Sequence, residues 1–257
     1  MRMLLPDRVG DLDDDAIDAA YAWPAGPWVR ANMVSTVDGA ARSPAGTSRG
    51  ISSDPDRRVF AALRGLADVV LVGAQTVRAE GYNPARPKPA YAQRRALAAQ
   101  LPAPVIAVVS RSLDLPLGSP LFADRGEGTA STLVITTVDA SQSRREAIPA
   151  TVDVIDCGVG DVDLVAAVAI LADRGLTRVH CEGGPHLLGD LIAGGCLDEL
   201  CLTISPLLVG STPGDTVGRI TASSSRPYEN AELSLAHLLV DGGSLFARYL
   251  VVRTGER

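Results

Sequence analysis

Lysine is nearly missing from this chain: Lys88 is the only one among its 24 basic residues, and the rest are arginine. Any grip on an anion must therefore come from guanidinium, hydroxyl or main-chain N–H groups. There is no surplus of positive charge either. The formal net charge is -6 over 257 residues, which leaves no electrostatic footprint for nucleic acid or an anionic membrane surface. No apolar run approaches the roughly 18–20 residues that span a bilayer. The first residues carry an acidic cluster (Asp11, Asp13, Asp14, Asp15) in place of the apolar core of a signal peptide, so we expect a cytoplasmic protein. The four cysteines, Cys157, Cys181, Cys196 and Cys201, form no C-x-x-C pair and read as reduced, mostly buried thiols.

Familiar nucleotide motifs are missing as well. No G-x-G-x-x-G follows the first strand, since Gly158-Val159-Gly160 comes late and lacks the third glycine, and no P-loop G-K-[ST] occurs. His180-Cys181-Glu182 mimics the H-x-E of zinc deaminases, but the P-C-x-x-C partner is absent, so no metal site is expected.

What is present is an alternation of short apolar strands with helices. Strands are expected over 28–37, 68–72, 105–110, 132–136, 152–157, 178–182 and 199–205, and helices over 54–66, 75–80, 162–174 and 185–193. Ser53 is a natural N-cap with Pro55 in the first turn. In 162–174 the inward set is Leu164, Val165, Val168 and Leu171. The stretch 81–103 is Pro- and Ala-rich and reads as partly loop, and 111–130 is turn-rich. The tail reads as two strands, 231–239 and 244–252, joined at Asp241-Gly242-Gly243. The pattern predicts an α/β fold: a mostly parallel mixed sheet with helices on both faces and a C-terminal antiparallel hairpin. Residues 1–26 read as an N-terminal extension and 27–257 as a single domain.

Three strand ends carry groups suited to phosphate. The first is Glu182-Gly183-Gly184-Pro185-His186-Leu187-Leu188. Here paired glycines open the backbone to close approach, and a helix begins at once with its free N–H groups and positive dipole end. The second is Gly73-Ala74-Gln75-Thr76, where Thr76 adds a hydroxyl. The third is Ser110-Arg111-Ser112, whose hydroxyl and guanidinium suit a phosphate monoester such as the 2′-phosphate of NADPH. In open α/β sheets ligands gather beyond the carboxyl ends of strands.

Five segments, in order, resemble a known family. They are Met33–Gly39, Gly50–Ser53, Val72–Glu80, Glu182–Pro185, and Leu197–Leu200 with Ser205–Gly210. Together they look like the pyrimidine reductase of bacterial riboflavin biosynthesis, in the dihydrofolate reductase superfamily. The resemblance runs over about residues 27–252. It implies a dihydrofolate-reductase-like fold, NADPH, a homodimer and a ribosylamino-pyrimidine 5′-phosphate as the small-molecule substrate. It places Gly183, Gly184, Pro185, His186, Leu187, Leu188, Gly73, Thr76, Val34 and Gly50 at the cofactor, with Ser110 and Arg111 at its adenosine phosphate. Asn32, Ser48, Arg64, Glu80 and Glu182 fall to the substrate pocket. Two departures stand near the reacting end. Asn32 replaces a frequent lysine, and Glu80-Gly81-Tyr82-Asn83-Pro84 replaces an aspartate followed by an acid or Asn and then Pro.

Two acids are candidates for chemistry. A carboxylate at Glu182 would hydrogen-bond substrate hydroxyls or stabilise a cationic imine. Asp38 precedes Gly39 at the first strand's end and would stand on the site wall. Asp54 and Asp56 open a helix, where acids partner the dipole; in a pterin reductase, one of them would face the pterin. His186 would grip phosphate or merely cover its turn, and His180 reads as a packed strand residue. The alternatives are therefore a dihydrofolate or other pterin reductase, and a non-catalytic NADPH-binding protein.

Overall fold

A computed structural model describes residues 1–123, 130–210, 218–222, 228 and 230–253. In chain order the elements are β1 (Arg2–Leu5), α1 (Asp14–Ala20), β2 (Trp28–Thr36), α2 (Asp54–Gly65), β3 (Val69–Gly73), α3 (Ala74–Glu80), α4 (Pro89–Leu97), β4 (Val105–Val109), α5 (Pro120–Ala123), β5 (Thr132–Thr136), α6 (Gln142–Glu146), β6 (Asp153–Asp156), α7 (Leu164–Asp173), β7 (Arg178–Cys181), α8 (Pro185–Ala193), β8 (Glu199–Ser205), β9 (Leu233–Asp241) and β10 (Ser244–Val251). A 3₁₀ turn covers Ser48–Gly50. Among the described residues no helix is long and apolar enough to cross a membrane.

All ten strands join one sheet in the order β1-β9-β10-β8-β2-β7-β3-β4-β5-β6. The run from β8 to β6 is parallel, and β8, β10, β9 and β1 pair antiparallel. This is the mostly parallel mixed sheet with a terminal hairpin that the pattern predicts. Strand β3 shows why it forms. Val69 and Leu71 pack on one face with α7 and α8, while Val70 and Val72 pack on the other with α3 and α5. All four are fully buried, so the strand reads as a continuous apolar run. Each such side chain contributes roughly 1.5–3 kcal/mol through burial. The hairpin closes on Gly242 (φ 57°) and Gly243 (φ 81°) between paired Asp241 and Ser244, the backbone that a two-residue primed turn requires.

Four findings differ from the expected pattern. The stretch 81–103 contains α4, started by Pro89 in its first turn, and it turns Tyr91 and Arg95 inward. The turn-rich stretch 111–130 holds α5, and α6 follows β5. Val165 on α7 is 55% exposed and Ala167 takes the inward place, because α7 packs along a narrower stripe than its uniform apolarity suggests. Residues 1–26 supply β1, which pairs with β9, and α1, which packs on α2.

A buried ion cluster ties the first segment to the sheet. Arg30 on β2 and Glu199 on β8 are fully buried, with Arg30 Nε 2.6 Å from Oε1. Arg248 on β10 holds the same carboxylate bidentately, Nε to Oε1 at 2.8 Å and Nη2 to Oε2 at 3.0 Å, and Trp28 Nε1 donates to Oε2 at 3.0 Å. Arg30 Nη2 donates to Glu199 Oε2 at 3.1 Å and to the Ala22 carbonyl, and Nη1 donates to the Tyr21 carbonyl.

Candidate active site

The site is built where two neighbouring parallel strands end. β3 runs into α3 through Gly73, and β7 runs into α8 through Gly183 and Gly184. The two turns are tied together, since Gly73 N donates to Gly183 O at 2.8 Å. Gly183 has φ +82° and the Gly183–Gly184 peptide is cis. Neither helix carries a side-chain cap at its N-cap glycine. The first-turn amides have no acceptor within their own helix, so two positive helix ends open side by side. A Cβ built on Gly184 would stand 2.7 Å from Thr76 Oγ1. The absence of that atom keeps main chain and hydroxyl open to the same space.

That space is a cavity of about 970 Å³ at the carboxyl ends of β2, β3 and β7. A second, of about 260 Å³, continues from it and shares Gly73, Gln75, His186 and Leu187. The main cavity brings together Asn32, Val34, Ser48, Arg64, Gly73, Thr76, Glu80, Glu182, Gly184, Pro185, His186 and Leu187 from the expected set. Ser110 and Arg111, with Ser112, line the continuation. Arg111 is 63% exposed and stands 4.0 Å from Asp161.

Four expected residues lie elsewhere. Gly183 sits behind the turn, its carbonyl taken by Gly73. Leu188 is fully buried in the core, on the inner face of α8. Gly50 is pressed against Ser43, whose Cβ would lie 2.6 Å from a Cβ at that position. Asp38 is outside the cavity lining: its carboxylate accepts from the amides of Val209 (3.0 Å) and Gly210 (2.9 Å) and from the Thr36 hydroxyl. The Thr36 hydroxyl and these amides hold its carboxyl below the usual range. Asp38 thus ties the loop after β8 to the end of β2.

Glu182 is a buried acid on the cavity floor, its side chain 2% exposed. Tyr82 Oη donates to its Oε2 at 2.6 Å. Arg64 Nε lies 3.1 Å from Oε1 as an ion pair without hydrogen-bond alignment. Burial pushes the Glu182 carboxyl up, against the opposing pull of Arg64, the Tyr82 hydroxyl and Lys88. His180, two residues back on the same face, is fully buried, and burial together with Arg30 and Arg64 pushes its pKa well below the ordinary histidine value. Asp56 is buried on the cavity wall, while Asp54 is exposed and paired with Arg57. Glu80 Oε1 accepts from Ser48 N at 2.7 Å and so holds the 3₁₀ turn against α3.

The cationic lining comprises Arg42, Arg49, Arg57, Arg64, Arg86, Lys88, Arg95 and Arg219; of these, sequence reasoning offers Arg64 and Arg86 for a substrate phosphate and misses the rest, together with Phe60 and the role of Tyr82. The signal for Tyr82 was Gly81, which ends α3 in the left-handed region (φ +69°) and turns the chain back over the strand ends. Three acids, Asp56, Glu80 and Glu182, face these cations around the cavity. Among the described residues no cluster of His, Cys, Asp and Glu suits a metal ion.

Two uncapped helix starts, a cation-lined cleft and a buried carboxylate thus meet at the strand tips of one α/β fold. Residues 27–247 match the RibD C-terminal domain, and the chain belongs to that family. It is 28% identical over 188 residues to the riboflavin biosynthesis protein RibD of Bacillus amyloliquefaciens, covering 72% of this chain and 47% of that protein. It therefore spans about half the length of that relative. It is 26% identical over 191 residues to the 2,5-diamino-6-ribosylamino-4(3H)-pyrimidinone 5′-phosphate reductase of Archaeoglobus fulgidus, covering 74% of this chain and 85% of that one. Among solved structures, a pyrimidine reductase-like protein from Corynebacterium diphtheriae superposes with a TM-score of 0.78 at 27% identity, covering 88% of this chain and 92% of that one.

Proposed function

We propose that this chain is an NADPH-dependent reductase that passes hydride to a ribosylamino-pyrimidine 5′-phosphate. The observation that carries the reading is the pair of uncapped helix N-termini, α3 and α8, tied at Gly73 and Gly183 and opening on one cleft with Glu182 at its floor. The names of the reductase relatives support the reaction class. The residues fit the cofactor. Gly184, His186 and Leu187 offer main-chain amides, and Thr76 a hydroxyl, to a pyrophosphate. Ser110, Arg111 and Ser112 offer hydroxyls and a guanidinium to a ribose phosphate in the continuation. When bound, the dihydronicotinamide supplies the hydride. Arginines and Lys88 along the far wall hold the substrate's phosphate, and the Glu182 carboxylate faces the carbon-nitrogen centre that bears positive charge during reduction. The walls fix donor and acceptor in contact and so supply much of the rate. The reading extends to a single reductase domain over 27–257, braced by 1–26, working in the cytoplasm as a homodimer.

Steady-state NADPH oxidation with 2,5-diamino-6-ribosylamino-4(3H)-pyrimidinone 5′-phosphate, or its uracil counterpart, tests the activity. Turnover is expected with one of the two, and none with either, in protein that binds NADPH, rejects the reading. One observation favours a second reading: Asp56 is a buried acid on the cavity wall, placed to pair with a pterin's amino group. Dihydrofolate in the same assay decides between them.

Two substitutions probe the cofactor contacts. Arg111→Ala is expected to weaken NADPH about tenfold or more, the loss of one charge-assisted contact, and to leave NADH unchanged in a fluorescence titration. Gly184→Ala is expected to weaken both coenzymes by about tenfold or more, because its Cβ would press on Thr76 Oγ1 and fill the approach to the amides. Equal affinity of wild type and variant in that titration contradicts the assignment.

A further inference from the structure

The cavity floor leaves a set of buried polar atoms unmatched. Glu182 Oε1, Arg64 Nε and Nη2, and Asn32 Oδ1 have no hydrogen-bond partner. Their strands and helix bring them together. The parallel register of β2 and β7 pairs Arg30 with His180 and Ala31 with Cys181, which sets Asn32 beside Glu182. Arg64 reaches down from α2. Unmatched donors and acceptors in one place cost free energy unless a ligand completes them.

Tyr82 touches both charged members of this group in different ways. Its hydroxyl donates to Glu182 Oε2 at 2.6 Å. Its ring carries the Arg64 guanidinium at 5.7 Å from the centroid, and the Phe60 ring holds the same guanidinium at 5.6 Å. The Glu182 oxygens are therefore not equivalent. Oε2 is committed to the phenol, and Oε1, itself without exposed surface, stands against the Arg64 guanidinium with no hydrogen bond made. Asn32 brings no charge to this acid. The other ionisable groups near it are Glu80 at the end of α3, Lys88 at the start of α4, and His180, whose Nε2 lies 3.7 Å from Oε1.

We propose that Tyr82 is a positioning residue for the reduction: it fixes Glu182 and Arg64 as one unit, so that carboxylate oxygen Oε1 is the atom presented to the substrate. This rests on the reading that Glu182 meets the substrate. The phenol makes no bond to the reacting atoms and gives up no proton. It donates a hydrogen bond that the ionised carboxylate accepts better than the neutral acid, so it also sets the pH range in which Glu182 is charged.

Tyr82→Phe separates these roles from packing, since it keeps the ring under Arg64 and removes one hydroxyl. The Glu182 titration is read by carbon-13 NMR of labelled glutamate in ligand-free protein, with the resonance identified by its loss in E182Q. The midpoint is expected to rise by about one pH unit or more. In the proposed reduction the acid limb of the kcat profile should rise by the same amount, with NADPH affinity unchanged. In the E182Q background, which has no Glu182 carboxyl to titrate, Y82F should leave kcat and its acid limb unchanged. A second readout needs no Tyr82 variant. Burial holds the Tyr82 phenol high and the neighbouring carboxylate adds to it, so removing the Glu182 charge by E182Q should let one tyrosine titrate at lower pH in ultraviolet difference spectra. An unmoved Glu182 midpoint in Y82F, or an equal loss of kcat when Y82F is added to E182Q, overturns the proposal. A raised midpoint in protein that turns over no pyrimidine overturns the functional reading instead and leaves the control of Glu182 by Tyr82 standing.

Discussion

On the proposed reading, Glu182→Gln is expected to lower kcat by about 100-fold or more while the Kd for NADPH stays within about twofold. The carboxylate is on the cavity floor and the amides proposed for the coenzyme are on the neighbouring turn, so the loss should fall on turnover and spare cofactor binding. Gln keeps the shape and one acceptor oxygen but not the charge. The substitution has a stability signature of opposite sign. Burial raises the folded-state pKa of Glu182 above its ordinary value, so the folded chain binds this proton more tightly than the unfolded one. Stability from this group is then lost as pH rises through the raised pKa, and the penalty is absent below the ordinary carboxylate range. E182Q is therefore expected to melt higher than wild type at pH 8, with the difference closing as pH falls to 4. Thermal melts across that range check the sign. Equal melting curves at pH 8 contradict the claim that a buried charge is kept here against folding.

Glu199→Ala destabilises the fold by about 3–5 kcal/mol, because it strands the fully buried Arg30 without its counter-ion. For a chain of this size that lowers Tm by roughly 10 °C. Urea unfolding with an unchanged m-value measures it directly. The loss should exceed that of Arg253→Ala, whose bond to Asp198 is at the surface and is worth about 1 kcal/mol or less. The pH dependence runs opposite to that of Glu182. Burial raises the Glu199 carboxyl, but hydrogen bonds and charge from Arg248 and Arg30 outweigh it and hold the carboxyl below its ordinary value. Its stabilising contribution is full above the ordinary carboxylate range and is lost as pH falls through the lowered folded value. The variant should thus lose less at acid pH than at neutral pH.

The local physics of the chain explains which parts were readable from sequence. Val69–Gly73 and Pro185–Ala193 declare themselves, one as an uninterrupted buried strand and the other by a Gly-Gly-Pro entry. The glycine turn between β7 and α8 was legible for the same reason, because its backbone needs glycines in fixed places. Helix α4 was hidden by the proline-rich stretch before it, although Pro89 at its first turn is a start signal. Strand β1 is only four residues long and finds its partner β9 more than 200 residues away, a pairing that no local pattern records. Tyr82 and Glu182 are 100 residues apart and meet only because β3 and β7 are neighbours in the sheet. Asp38 looked like a wall acid because Asp-Gly follows the first strand. The structure instead spends that carboxylate on the amides of Val209 and Gly210.

The central claim is that strand-end amides, two helix N-termini and one arginine grip a phosphorylated nicotinamide coenzyme. Isothermal titration at neutral pH with NADPH and NADH, on wild type and Gly184→Ala, tests it most directly. The account predicts saturable binding of one coenzyme per chain, tighter for NADPH, and a marked loss for both in the variant. No saturable heat with either coenzyme, or undiminished binding by the variant, contradicts it.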